Sequence, residues 1–166
     1  MEIATGPRIY IASPFGFSEA GRAFLYNELE PLIRRAGFTP VDPWKLTPPE
    51  KIREAQALPY GAEKRERWRI VNKIIGENNA RAIRDAHGLF AALDGVDVDS
   101  GTAAEIGFAA ALGKPILGYR GDFRLSADNE GALVNLQVEY FVRLNGGRIV
   151  TQKDQIVQAL KEVMGR

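Results

Sequence analysis

The chain has 166 residues, 45% of them hydrophobic and 26% charged, with a net charge of +1, no cysteine and a single histidine, His87. That length suits one domain, residues 1–166, able to bury about two-thirds of its unfolded surface; the even charge gives no electrostatic reason to expect a nucleic-acid partner. The missing cysteines rule out disulfides, thiolate catalysis and cysteine-bound metals, the lone histidine rules out a multi-histidine metal site, and no apolar run approaches the roughly 18 residues of a membrane span.

The opening Met1–Pro7 lacks the basic end and apolar stretch of a secretory leader, so a cytoplasmic enzyme or binding domain is expected. Arg8–Ala12 is a β-prone run that leaves into a loop at Ser13-Pro14-Phe15-Gly16. Ser18 is placed to cap a helix that carries Phe24, Leu25, Leu29, Leu32 and Ile33 at helical spacing and stops near Gly37. Phe38–Val41 reads as a second, weaker strand, followed by Asp42-Pro43-Trp44. Glu50–Arg84 is helix-prone and strongly charged, with a break near Leu58-Pro59-Tyr60-Gly61. Residues 88–93 form a third strand and 102–112 the helix after it; Pro115–Tyr119 is a fourth strand and 120–131 a loop. Ala132–Leu144 is helix-prone, Arg148–Val150 a short fifth strand, and Thr151 caps a last helix through about Met164. Strands alternating with helices predict an α/β fold: a doubly wound, parallel five-stranded sheet with helices on both faces.

The segment with the most chemistry is Asp99-Ser100-Gly101-Thr102-Ala103-Ala104-Glu105-Ile106-Gly107. It runs from the loop after strand three into a helix N-terminus, where free N–H groups and positive potential gather, and where open α/β sheets bind ligands. Two carboxylates in one pocket equip a site to break a glycosidic bond, one as nucleophile and one as proton donor. By this reading the helix end keeps Glu105 ionised, while the crowding of Asp94, Asp97 and Asp99 keeps one carboxyl protonated. Gly101 permits close backbone approach. The same letters also fit a capping box in which Glu105 merely bonds the backbone of Thr102. A calcium loop fails on register, because from Asp97 the glycine falls fifth and the glutamate ninth. Phe15, Phe17 and Trp44 follow strands one and two and are candidate walls for a base; Trp68 and His87 read as packing residues.

With these pieces in order, the chain resembles the nucleoside 2-deoxyribosyltransferase family. The resemblance rests on Ile9-Tyr10-Ile11-Ala12-Ser13-Pro14-Phe15, Leu93-Asp94-Gly95, the Asp99–Ala109 segment, Gly113-Lys114-Pro115 and Asn135-Leu136-Gln137. It implies a flavodoxin-like fold and transfer of a 2-deoxyribosyl group between nucleobases with retention and without a metal or organic cofactor. It also implies roles: Glu105 as nucleophile, Asp99 as the group that contacts and protonates the base, and Tyr10 as the residue that orients Glu105. Asn135 would bind the sugar in a neighbouring subunit's site, so a homodimer or larger homo-oligomer with shared sites is expected. The chain departs from the family pattern twice. A family aspartate falls at Asn79, or at Asp85, and Gln137 stands where a methionine is frequent. Two other readings share the residues: a 2′-deoxynucleoside (5′-phosphate) N-hydrolase with water as acceptor, and a nucleoside-sensing domain without turnover. The bulky first loop with Glu19 argues against a phosphate, with Arg22 its one nearby cation.

Overall fold

The computed structural model describes residues 6–165. Met1–Thr5, most of the segment considered above as a leader, lie outside the described residues. Five parallel strands, β1 (Arg8–Ala12), β2 (Thr39–Val41), β3 (Gly88–Ala92), β4 (Ile116–Tyr119) and β5 (Arg148–Val150), pair in the order β2-β1-β3-β4-β5. This is the doubly wound order of the flavodoxin-like fold, whose direction of winding reverses between β1 and β3.

Strand periodicity sorts the core onto two faces. Ile9, Ile11, Phe90 and Leu117 point to one face, covered by α1 (Glu19–Phe24), α2 (Glu30–Arg35) and α7 (Ile156–Met164). Tyr10, Ala12, Leu89 and Ala91 point to the other, covered by α4 (Ala62–Asp85), α5 (Ser100–Ala111) and α6 (Leu136–Leu144). A further helix, α3 (Pro49–Ala57), packs on α4, so the charged region between β2 and β3 is a helical hairpin broken near Pro59. Among the described residues no helix is long and apolar enough to cross a membrane.

Several predicted boundaries move, each for a local reason. The expected first helix contains a π turn at Leu25–Leu29, between α1 and α2. Pro31 follows it; proline has no N–H to donate and its ring crowds the carbonyl four residues back, and a wider turn relieves that conflict. Ser18 does cap α1, its Oγ accepting from the Gly21 amide at 3.0 Å, and Gly37 ends the run at φ +95°. Helix α6 starts later than Ala132, because Asn135 caps it and accepts from the amides of Gln137 and Val138. Thr151 does not cap the last helix. A 3-10 turn over Lys153–Gln155 intervenes, with Gln155 Oε1 accepting from the Gln152 amide.

Candidate active site

The loops after β1, β2 and β3 open at the switch point between β1 and β3, and there they enclose a cavity of about 250 Å³. Helix α5 enters it N-terminus first. Its cap is Asp99, not Thr102: Asp99 Oδ2 accepts from the Thr102 amide at 2.9 Å and from Thr102 Oγ1 at 3.1 Å. The capping-box reading of Thr102 and Glu105 is thereby excluded, and Glu105 falls in the helix's second turn with its side chain turned into the cavity.

Glu105 is held by two donors on one atom. Tyr10, fully buried on β1, donates from Oη to Glu105 Oε1 at 2.5 Å, and Asn79 Nδ2 on α4 donates to the same Oε1 at 3.3 Å. No bond is made to Oε2 among the described residues, so that oxygen is the one presented to a ligand.

The electrostatics of the pair differ from the expectation that the helix end keeps Glu105 ionised. Burial dominates and pushes the Glu105 carboxyl up to about 7; the hydrogen bond from Tyr10 pulls it down, the charge of Asp99 adds to the rise, and the Asn79 bond opposes it. At neutral pH the residue is therefore divided between its two forms. Tyr10 is raised far above the ordinary phenol range, by burial first and then by the Glu105 charge, and so stays a donor.

Of the other residues singled out in the sequence, Phe17, Trp44, Asn79, Asp99 and Gly101 line the cavity. Phe15 does not: it packs against the core, edge-on to Phe24 with ring centres 5.5 Å apart. Asp85 lies exposed at the last residue of α4 and does not line the cavity, whereas Asn79 does. Asn135 and Gln137 are also outside it. Asn135 caps α6 and donates from Nδ2 to Asp128 at 3.4 Å, and Gln137 is exposed.

Sequence reasoning missed Ser13, Pro43, Thr47, Ile52 and Ile75 in the lining. A signal existed for Ile75, which precedes Asn79 by one helical turn and so shares its face; Ile52 sits among charged neighbours with no such pattern. Trp44 is fixed from three sides. Asp42, itself buried, accepts from the Trp44 amide at 3.0 Å. Phe17 meets the indole edge-on at 4.7 Å. The indole also lies flush on Gly16, where an added Cβ would stand 2.0 Å from Trp44 Cε2.

Fold and site together define a flavodoxin-like α/β protein with a paired-carboxylate cavity at its topological switch point. The sequence model described as nucleoside 2-deoxyribosyltransferase matches residues 9–137. The chain belongs to the nucleoside 2-deoxyribosyltransferase family. Among solved structures it is similar to a 2-desoxiribosyltransferase from Leishmania mexicana, at 26% identity over 94% of this chain and 97% of the other, with a TM-score of 0.63. A conserved protein from Enterococcus faecalis shares the fold at 23% identity, covering 95% and 99%, with a TM-score of 0.69. So does a CMP N-glycosidase from Clostridium botulinum, at 18% identity, 93% and 98% coverage and a TM-score of 0.54. A search of curated proteins found no match.

One consequence of the Glu105 geometry is measurable directly. Tyr10→Phe removes a bond that favours the ionised carboxylate, so the acid limb of kcat/KM, expected near pH 7 in the wild type, shifts to higher pH. A pH profile that keeps the wild-type limb would show that the phenol does not govern Glu105.

Proposed function

We propose that the protein is a cytoplasmic nucleoside 2-deoxyribosyltransferase, an enzyme of nucleoside salvage that exchanges one nucleobase for another on 2-deoxyribose. The reacting state has Glu105 ionised and the pair's one proton on Asp99: Glu105 Oε2 attacks C1′ of the donor, the C1′–N bond breaks, and its electron pair leaves with the base, which takes that proton from Asp99. The resulting deoxyribosyl ester on Glu105 is then attacked by the nitrogen of a second base, which returns a proton to Asp99 and releases the carboxylate. Two displacements on one carbon give retention. The observation that carries this reading is the double anchoring of Glu105 Oε1 by Tyr10 and Asn79 in a side chain that lines the cavity, with no bond to Oε2 among the described residues.

In the first loop, whose bulk and Glu19 favour an unphosphorylated substrate, Arg22 donates from Nη1 to the Gly16 carbonyl at 3.1 Å. The oligomer implied by Asn135 has a candidate surface. Leu136, Tyr140 and Leu144 recur one turn apart on α6 and are all exposed, directly after the Asn135 cap. A second copy seated there would bring its neighbour's cavity toward Asn135. Sedimentation should give a dimer or larger species; a monomer at working concentration would sink the shared site.

The deciding assay incubates the protein with thymidine or 2′-deoxyinosine, with and without adenine, and separates the products. Deoxyadenosine formed only with adenine, with little free deoxyribose, is the expected result. Free base and free deoxyribose regardless of adenine would make it an N-hydrolase, and intact donor after long incubation would make it a non-catalytic binder.

A further inference from the structure

The cavity is divided in its chemistry. Asp99, Thr102 and Glu105 come from the first two turns of α5, and Asn79 reaches Glu105 from α4. The rest of the wall is Phe17, Pro43, Trp44, Ile52 and Ile75, drawn from the turns after β1 and β2 and from α3 and α4. Apart from the Trp44 indole N–H these side chains have no hydrogen-bonding atom. Two hydroxyls also line the space; each accepts one bond, Ser13 Oγ from the Phe15 amide at 3.0 Å and Thr47 Oγ1 from Asn78 Nδ2 at 3.2 Å, so with the Trp44 N–H they are the few polar groups on that side.

The apolar wall is both exposed and fixed. Phe17 is 73% and Trp44 41% exposed, and both line the cavity, where a ligand can cover them. Trp44 is positioned by the Asp42 bond to its backbone amide and by ring contacts with Phe17 and Gly16.

We infer that this wall selects a nucleobase carrying an apolar substituent, such as a ring methyl or an N-methyl group, over the same base without it. The inference rests on the reading that the cavity takes a deoxynucleoside with C1′ at Glu105. With the sugar there, the base extends toward the apolar wall. A bare polar edge loses its water there and finds few partners. A methyl in that position trades water for Trp44, Ile52 and Ile75 instead, and one methyl against a fitted apolar wall gives roughly 10- to 200-fold discrimination.

The test compares kcat/KM for base release from two matched donor pairs, thymidine with 2′-deoxyuridine and N6-methyl-2′-deoxyadenosine with 2′-deoxyadenosine. The methylated member should lead by roughly tenfold or more in at least one pair, and which pair does so separates a pyrimidine from a purine pocket. Ile52→Ser and Ile75→Ser should bring that ratio toward one. Base release with both wild-type ratios at one or below would overturn the inference and leave glycosidic cleavage standing; so would a ratio unchanged in both serine variants. Release from none of the four donors would instead strike the proposed reaction. Calorimetric titration with the free bases, thymine against uracil and N6-methyladenine against adenine, then decides the inference without turnover: tighter binding of a methylated base supports it, and equal or weaker binding of both overturns it.

Discussion

Glu105→Ala should abolish turnover, with a loss of roughly 10³-fold or more, while leaving a folded protein. In the proposed reaction, loss of the carboxylate removes the atom that bonds C1′, and its neighbours do not replace it: Asp99 is bound at Oδ2 to the start of α5, and Asn79 is not a nucleophile. Near-normal activity in a folded Glu105→Ala protein would refute the covalent route. The isosteric Glu105→Gln adds a stability readout. In the folded protein the carboxyl titrates at about 7 against an ordinary 4.5, so between those values the native state binds more protons than the unfolded chain. Stability contributed by the protonated form is then full below about pH 4.5 and lost as pH rises through about 7. Glutamine carries no such penalty. The variant should match the wild type near pH 4 and exceed it at pH 8 by up to about 3 kcal/mol, read from urea midpoints. Equal midpoints at both pH values would place Glu105 in a more solvated setting than its burial implies.

Asp99→Asn should cost roughly 10²- to 10⁴-fold in activity with little change in thermal stability. Asparagine caps a helix about as well as aspartate, so the bond to the Thr102 amide survives, but it has no acidic proton for the departing base of the proposed reaction. Asp99→Ala should lose the cap as well, at about 1 kcal/mol. Donors whose base leaves readily without protonation should suffer least in Asp99→Asn. A uniform loss across donors would mean that Asp99 serves position rather than acid chemistry.

Much of the fold was legible because β1, β3 and β4 are short apolar runs between turn residues, and helix punctuation such as Ser18 and Gly37 is local. The π turn was not, although its cause, Pro31 inside an apolar helical pattern, is present in the letters. The family motif led to Glu105, Asp99 and Tyr10, yet the 2.5 Å bond between Tyr10 and Glu105 joins residues 95 positions apart. Spacing along the chain carries no information about such a bond. The sign of the Glu105 shift is not legible in the sequence for a related reason. The helix dipole is visible from sequence and the depth of burial is not, and burial is the larger effect. Ile52 and Ile75 are not legible as lining residues, because a charged hairpin reads as a solvated face until the packing of α3 on α4 and of α4 on the sheet is known. Phe15 and Phe17 looked equivalent two residues apart, but the turn between them sends one into the core and the other to the cavity.

The contact of Trp44 with Gly16 joins two segments that are remote in the chain but inseparable in space. Neither position can vary alone: a side chain at 16 needs the volume now filled by the indole, and a smaller residue at 44 would leave a void over the first loop. Across related proteins the two sites should therefore change together, with glycine at the first wherever a large ring occupies the second. The first loop would then inherit its shape from the ring that lines the cavity, and a change in that wall would carry a change in the loop with it.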